Sequence, residues 1–269
     1  MNTMKMKSTL FLKLSIIILC SLLATSCKKE SELESEPKPP VPSPTYSCYS
    51  RLFVAHGGGA VEGHTKTNSL ESLNASYANG FRMFELDLQL TTDNKIVAVH
   101  DPIDITEEEF LSQPILGKFT PMNMDSLNNW FEKHLDAIFI TDKINRPDLL
   151  AKQFKFKKRL IMELFTWEAV EEALKLGIEP MVSQNIFWDE PNIEERLYKL
   201  KIKYVGMHRE FISKDMELLK RIKAGGIKTY VWFTSSQIEG MQPEEYIWKH
   251  DMDYCYGMYA NSLINVSAR

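Results

Sequence analysis

The sequence predicts a (β/α)8 barrel, the TIM-barrel architecture, as one α/β domain behind a signal peptide and linker. Eight short apolar segments rich in β-branched and aromatic residues alternate with helix-like stretches, and about eight β/α repeats fit the length. No GxGxxG or Walker-type loop supports the runner-up, an open doubly wound sheet. The strand candidates are Arg51–Ala55, Arg82–Leu88, Ala137–Thr141, Arg159–Leu164, Pro180–Ser183, Tyr204–Met207, Lys228–Phe233 and Asp253–Tyr259. Between them lie helical patterns over Ser69–Asn79, Met124–His134, Pro147–Phe154, Trp167–Leu176, Pro191–Leu200, Lys214–Ala224 and Pro243–Lys249. Several open on Ser, Thr, Asp or Pro, and some end near Gly80, Gly177 and Gly225, as helix start and stop signals should.

A leader precedes the barrel. Lys5, Lys7 and Lys13 form a basic n-region, and Leu14–Leu23 is an apolar run of h-region length, too short to span a bilayer. Ala24-Thr25-Ser26-Cys27 resembles a bacterial lipobox, so residues 1–26 are expected to be a lipoprotein signal peptide, with Cys27 lipidated. An ordinary secretory signal is the alternative, and the mass of the mature N-terminus separates the two. Residues 27–47 are rich in Pro, Ser, Glu and Lys and cannot bury enough surface to offset their ordering entropy, so they read as a semi-rigid linker. The folded domain spans residues 48–269. This organisation predicts a lipid-anchored protein of the bacterial cell envelope, periplasmic or surface-facing, that meets the membrane through its anchor.

The formal net charge of -4 and the mixed signs leave no basic footprint for nucleic acid. Of the four cysteines, Cys20 lies in the leader and Cys27 is the expected lipid site. Cys48 and Cys255 fall before or within the first and eighth strands, neighbours in a closed barrel, and both a disulfide and two unpaired thiols remain open. No CxxC or Cys/His cluster points to zinc, and no obligate protein partner is inferred.

The chemistry concentrates between Val54 and Asp101. His56 ends the first strand, where functional groups of a parallel barrel collect. On the second strand Met83, Glu85, Asp87 and Gln89 share one face, while Phe84, Leu86 and Leu88 share the other. The apolar set should face the helices and the carboxylates the barrel mouth. Two converging carboxylates repel, and no Lys or Arg stands beside them in the motif. A divalent cation with oxygen ligands, Ca²⁺ or Mg²⁺, resolves that conflict. His100 adds a second titratable ring, completing an acid/base set.

These residues carry a resemblance. His56-Gly57-Gly58, Thr67-Asn68-Ser69, Gly80, Glu85-Leu86-Asp87, Thr92-Asp93-Asn94 and His100-Asp101 resemble the N-terminal pattern of the glycerophosphodiester phosphodiesterase family, among the phosphatidylinositol phospholipase C-like barrels. The resemblance is dense over about fifty residues and implies a TIM barrel. It also implies a phosphoric diester hydrolase acting on glycerophosphodiesters or related phospholipid head-group diesters. By the same resemblance His56 and His100 are the acid/base pair, and Glu85 and Asp87 bind the metal. Asn68 supports the phosphate or the metal shell, and Trp232 is the aromatic at the pocket.

The family's third metal ligand, an acidic residue ending the third strand, corresponds to Asp142 by repeat order. Lys143 then corresponds to the phosphate-binding lysine. Adjacent strand residues face opposite ways, so both reach the mouth only where the strand has ended. Glu163 on the fourth strand competes with Asp142. The chain departs from the pattern after His56, where Gly57 replaces an arginine that grips phosphate. The Gly57-Gly58-Gly59 backbone, Lys143 or Arg209 are the candidates to supply what the guanidinium would. Thr67 in place of a glutamate is a second departure.

Two other functional classes stay open on the sequence: a lyase releasing a cyclic phosphate, and a non-catalytic lipoprotein binding phosphate esters or glycans. A glycosidase ranks last, because Glu85 and Asp87 sit two residues apart on one strand, which suits joint metal ligation better than flanking a sugar bond.

Overall fold

The computed structural model describes residues 51–264. The expected leader, Cys27, the linker and Cys48 lie outside the described residues. Among the described residues no helix is long and apolar enough to cross a membrane.

Among the described residues nine strands form, eight of which close a parallel barrel. They are β1 (Phe53–Ala55), β2 (Met83–Leu90), β3 (Ile96–Ala98), β4 (Ile138–Asp142), β5 (Leu160–Leu164), β6 (Glu179–Ser183), β7 (Tyr204–His208), β8 (Lys228–Trp232) and β9 (Gly257–Ala260). The order β1-β9-β8-β7-β6-β5-β4-β2 closes through a parallel β1–β2 pairing. The short β3 stands outside it, antiparallel to β2. The expected (β/α)8 architecture is therefore the observed one.

Side-chain alternation sorts each strand. Val54, Met83, Ile140, Ile161, Met181, Tyr230 and Tyr259 pack inside the barrel. Phe84, Leu86, Phe139, Leu164, Val182 and Val231 face outward into the core shared with the helices. Tyr230 plugs the N-terminal end, its hydroxyl donating to the Arg51 carbonyl at 2.7 Å. The interior is thus packed low down and polar only toward the C-terminal ends of the strands.

Helix boundaries follow local hydrogen bonding. Ser69 caps Leu70–Ala78 in a reciprocal box with Ser72, and Thr166 caps Trp167–Leu176, which ends at left-handed Gly177 (φ 73°). The helix expected from Lys214 begins at Met216, because the Asp215 side chain accepts the Leu218 N–H at 2.9 Å and fixes the start. The last strand is shorter than the expected Asp253–Tyr259. Tyr254 and Cys255 donate their N–H groups to the Asp251 carbonyl in a turn, so pairing begins only at Gly257. Phe187 is fully buried on the short helix Gln184–Trp188.

The β2–β3 hairpin matters for the site. Thr92-Asp93-Asn94 form a three-residue loop closed by the Thr91 N–H to the Lys95 carbonyl, with Asn94 left-handed at φ 59°. The returning strand then runs back along β2, and the Val99 N–H donates to the Asp87 carbonyl at 2.9 Å. That contact delivers His100 to the rim beside the second strand's carboxylates.

Candidate active site

Glu85 and Asp87 project inward from β2, both almost wholly buried at 1% and 4% exposure. Parallel pairing sets Asp142 of β4 directly across from Asp87. Oxygens of Glu85, Asp87 and Asp142 all lie within 4.8 Å of one another. Burial, followed by the charges of Asp87 and Asp142, pushes the Glu85 carboxyl well above the usual range. Asp87 is also raised, chiefly by burial, against a lowering hydrogen bond from Asn68.

The surrounding loop orients these groups. The Gly57 N–H donates to Glu85 Oε2 at 2.7 Å. Asn68 Nδ2 donates to Asp87 Oδ2 at 2.9 Å, and the Asp87 N–H donates to Asn68 Oδ1 at 3.0 Å. Asn68 therefore holds Asp87 in place, and the Gly57 N–H, a candidate for gripping phosphate, is already given to Glu85. Glu85 Oε1 is buried without a hydrogen-bond partner. An orphaned carboxylate oxygen beside two further carboxylates fits a hard divalent cation with oxygen ligands, and the donor set contains no thiolate to favour a softer one.

Lys143 follows Asp142 just past the end of β4 and adopts φ 68°. This left-handed turn lets both side chains face the mouth, which continued strand geometry would forbid. The Lys143 ammonium sits 3.4 Å from Asp142 Oδ2 and 3.9 Å from Asp87 Oδ1. Glu163, the competing ligand, is buried on β5, with Tyr259 donating to its Oε2 at 3.4 Å. Burial, reinforced by Asp142, lifts it to about 8. Asp142→Asn is expected to weaken divalent-cation affinity at least roughly tenfold, whereas Glu163→Gln should leave it within a few-fold. Calorimetric titration with Mg²⁺ or Ca²⁺ reads the difference, and the reverse order would make Glu163 the ligand.

A cavity of about 190 Å³ joins these carboxylates to both histidines, Lys66 and Trp232. His56 packs edge-on against Tyr259, ring centroids 5.4 Å apart, and its Nδ1 is buried without a partner. Burial, helped by the charges of Lys66, Lys143 and His100, pushes His56 down to about 3, so the ring is neutral at physiological pH. His100 is exposed at the rim, with Nδ1 2.8 Å from Asp101 Oδ1. Trp232 lines the wall and meets His208 edge-on at 4.5 Å.

Arg209 does not serve the site. Its guanidinium binds Asp251 at 2.8 and 3.3 Å and lies over the Tyr246 ring, 4.7 Å from the centroid. Lys66 and Tyr259 line the cavity although the motif reading did not single them out. Tyr259 was legible only as a strand aromatic, and Lys66 carried no sequence signal beyond its place before Thr67-Asn68-Ser69.

The model of the glycerophosphoryl diester phosphodiesterase family matches residues 59–120, a segment holding Asn68, Glu85, Asp87 and His100 and beginning three residues after His56. No curated protein matches the chain. Solved structures share the fold over most of its length. A glycerophosphodiester phosphodiesterase from Parabacteroides distasonis is 19% identical, with a TM-score of 0.62 over 78% of this chain and 92% of that one. One from Thermotoga maritima is 22% identical, with a TM-score of 0.60, covering 78% and 94%. A phosphodiesterase from Oleispira antarctica, solved with the product sn-glycerol-3-phosphate, is 18% identical, with a TM-score of 0.58, covering 79% and 94%.

Proposed function

We propose, from a chain whose residues 59–120 carry the glycerophosphoryl diester phosphodiesterase family match, that the protein is a metal-dependent hydrolase of glycerophosphodiesters or related head-group diesters. The observation that carries this reading is the convergence of Glu85, Asp87 and Asp142 in one cavity with His56 and His100.

Glu85, Asp87 and Asp142 would hold Ca²⁺ or Mg²⁺, which when bound supplies charge neutralisation at the phosphoryl oxygens. His56, kept neutral, accepts the proton of the attacking water or of a hydroxyl beside the phosphate. His100, its Nδ1 held 2.8 Å from Asp101 Oδ1, gives a proton to the departing alcohol. Asn68 and Gly57 keep the two buried carboxylates aimed, so neither ligand must be ordered when substrate arrives. The envelope location expected from Cys27 would bring this activity near phospholipid-derived diesters.

The test is cleavage of a glycerophosphodiester panel and a chromogenic diester, with Mg²⁺, Ca²⁺ or chelator. Metal-dependent turnover is the expected result. Silence across the panel while a cation binds the three carboxylates would leave a binding protein, and absence of both would overturn the reading.

A further inference from the structure

The catalytic cavity contains two lysines, and they differ in how their charge is used. The Lys143 ammonium is committed to Asp142 and Asp87. For Lys66 no carboxylate partner occurs among the described residues, although it lines the same cavity as His56, Glu85 and Asp142. It also lines an adjoining cavity of about 690 Å³, and Thr234 is the other residue common to both. An unengaged ammonium thus stands where the two cavities meet.

Its backbone is held there at a conformational cost. Lys66 has φ 55°, a left-handed setting that a branched-free but Cβ-bearing side chain adopts only when its surroundings impose it. The constraint is visible at Gly57, itself at φ 54°: a Cβ on Gly57 would lie 2.5 Å from Lys66 Cα. The Asn68 N–H meanwhile donates to the Gly57 carbonyl at 2.9 Å, locking the two loop segments together. Position 57 cannot carry a side chain, because the backbone of residue 66 occupies the space. Lys66 lines the same cavity as His56, and its charge is the largest electrostatic influence on that ring after burial.

We infer that Lys66 is the residue that grips the phosphate, standing between the catalytic carboxylates and the larger adjoining cavity. The phosphodiester is an anion approaching a site already crowded with carboxylates, so a cation free of internal pairing is what binding requires. Lysine acts here as a point charge on a flexible stem, so the site selects anions by charge more than by planar geometry. This inference rests on the reading of the site as one for phosphate esters, and its test is separable from that reading.

The probe is inorganic phosphate, titrated calorimetrically into the Mg²⁺-loaded protein. Lys66→Met keeps the aliphatic stem and removes the charge. It is expected to weaken phosphate binding about tenfold or more, with Mg²⁺ affinity and thermal midpoint unchanged, while Lys66→Arg stays within a few-fold of the parent. If diesters turn over, Lys66→Met should raise KM more than it lowers kcat. Equal phosphate affinity in Lys66→Met, or no phosphate binding by the parent protein, would overturn the inference. Lys66-dependent phosphate binding without diester turnover would leave it standing and count against the hydrolase.

Discussion

Replacing His56 or His100 with alanine is expected to lower turnover of an unactivated glycerophosphodiester by about 10²–10⁴-fold, the usual worth of a positioned proton-transfer group. Neither change should unfold the barrel. His56 Nδ1 has no hydrogen-bond partner to lose, and His100 is exposed at the rim. The two substitutions part company on a chromogenic diester whose leaving group needs no proton. There His100→Ala should recover most of its activity and His56→Ala should not, because only the former removes the acid. Full activity in both variants on both substrates would remove the histidines from the mechanism. Recovery by His56→Ala instead would exchange their roles.

The barrel was legible because its signals are repetitive. Apolar alternation along Met83–Leu90 places carboxylates on one face and Phe84, Leu86 and Leu88 on the other, and the folded chain keeps that division. Ser69 and Thr166 act as caps whose hydroxyl chemistry is local and so readable from sequence. The β2–β3 hairpin escaped that reading although Asp93-Asn94 between two apolar runs is a turn signal. The apolar run Ile96–Ala98 is only three residues long and gains its pairing from β2.

Residues whose role depends on distant partners were harder to see. Arg209 looks like an available cation until Asp251, 42 positions away, is found to hold it. Lys143 looks misdirected until its left-handed backbone turns it back toward the mouth. Lys66 matters because a glycine nine positions earlier leaves room for its backbone, a relation carried by two backbone conformations and by no residue pattern.

The buried carboxylates make a second large effect, and its sign is unusual for a protein's acidic groups. Stripped of divalent cations, the protein is expected to lose stability as pH rises from about 5 to about 8. Glu163 is held at about 8 against an ordinary value of 4.5, and Glu85 is shifted the same way by burial and by its carboxylate neighbours. Between those two values the folded chain keeps protons that the unfolded chain has released. The derivative of unfolding free energy with pH is then negative, with a ceiling of about 1.4 kcal/mol per pH unit for each such group. The stabilising state is the protonated one, fully present below the unfolded value and lost as pH climbs through the folded value.

Removing one charge should relieve this conflict. In chelator at pH 8, Glu85→Gln is expected to be more stable than the parent, by on the order of 1 kcal/mol, because the amide oxygen still accepts the Gly57 N–H and no buried carboxyl remains beside Asp87 to be ionised. With saturating Mg²⁺ the order should reverse, since the parent gains binding free energy that the variant has largely lost. Thermal melts across pH, with and without chelator, read both effects. A parent protein that grows more stable toward pH 8 in chelator would mean the three carboxylates are not held together in the metal-free fold. A Glu85→Gln variant less stable than the parent there would assign Glu85 a supporting role in the barrel. The reversal on adding the cation would tie the strain of the free site to cation binding at these carboxylates.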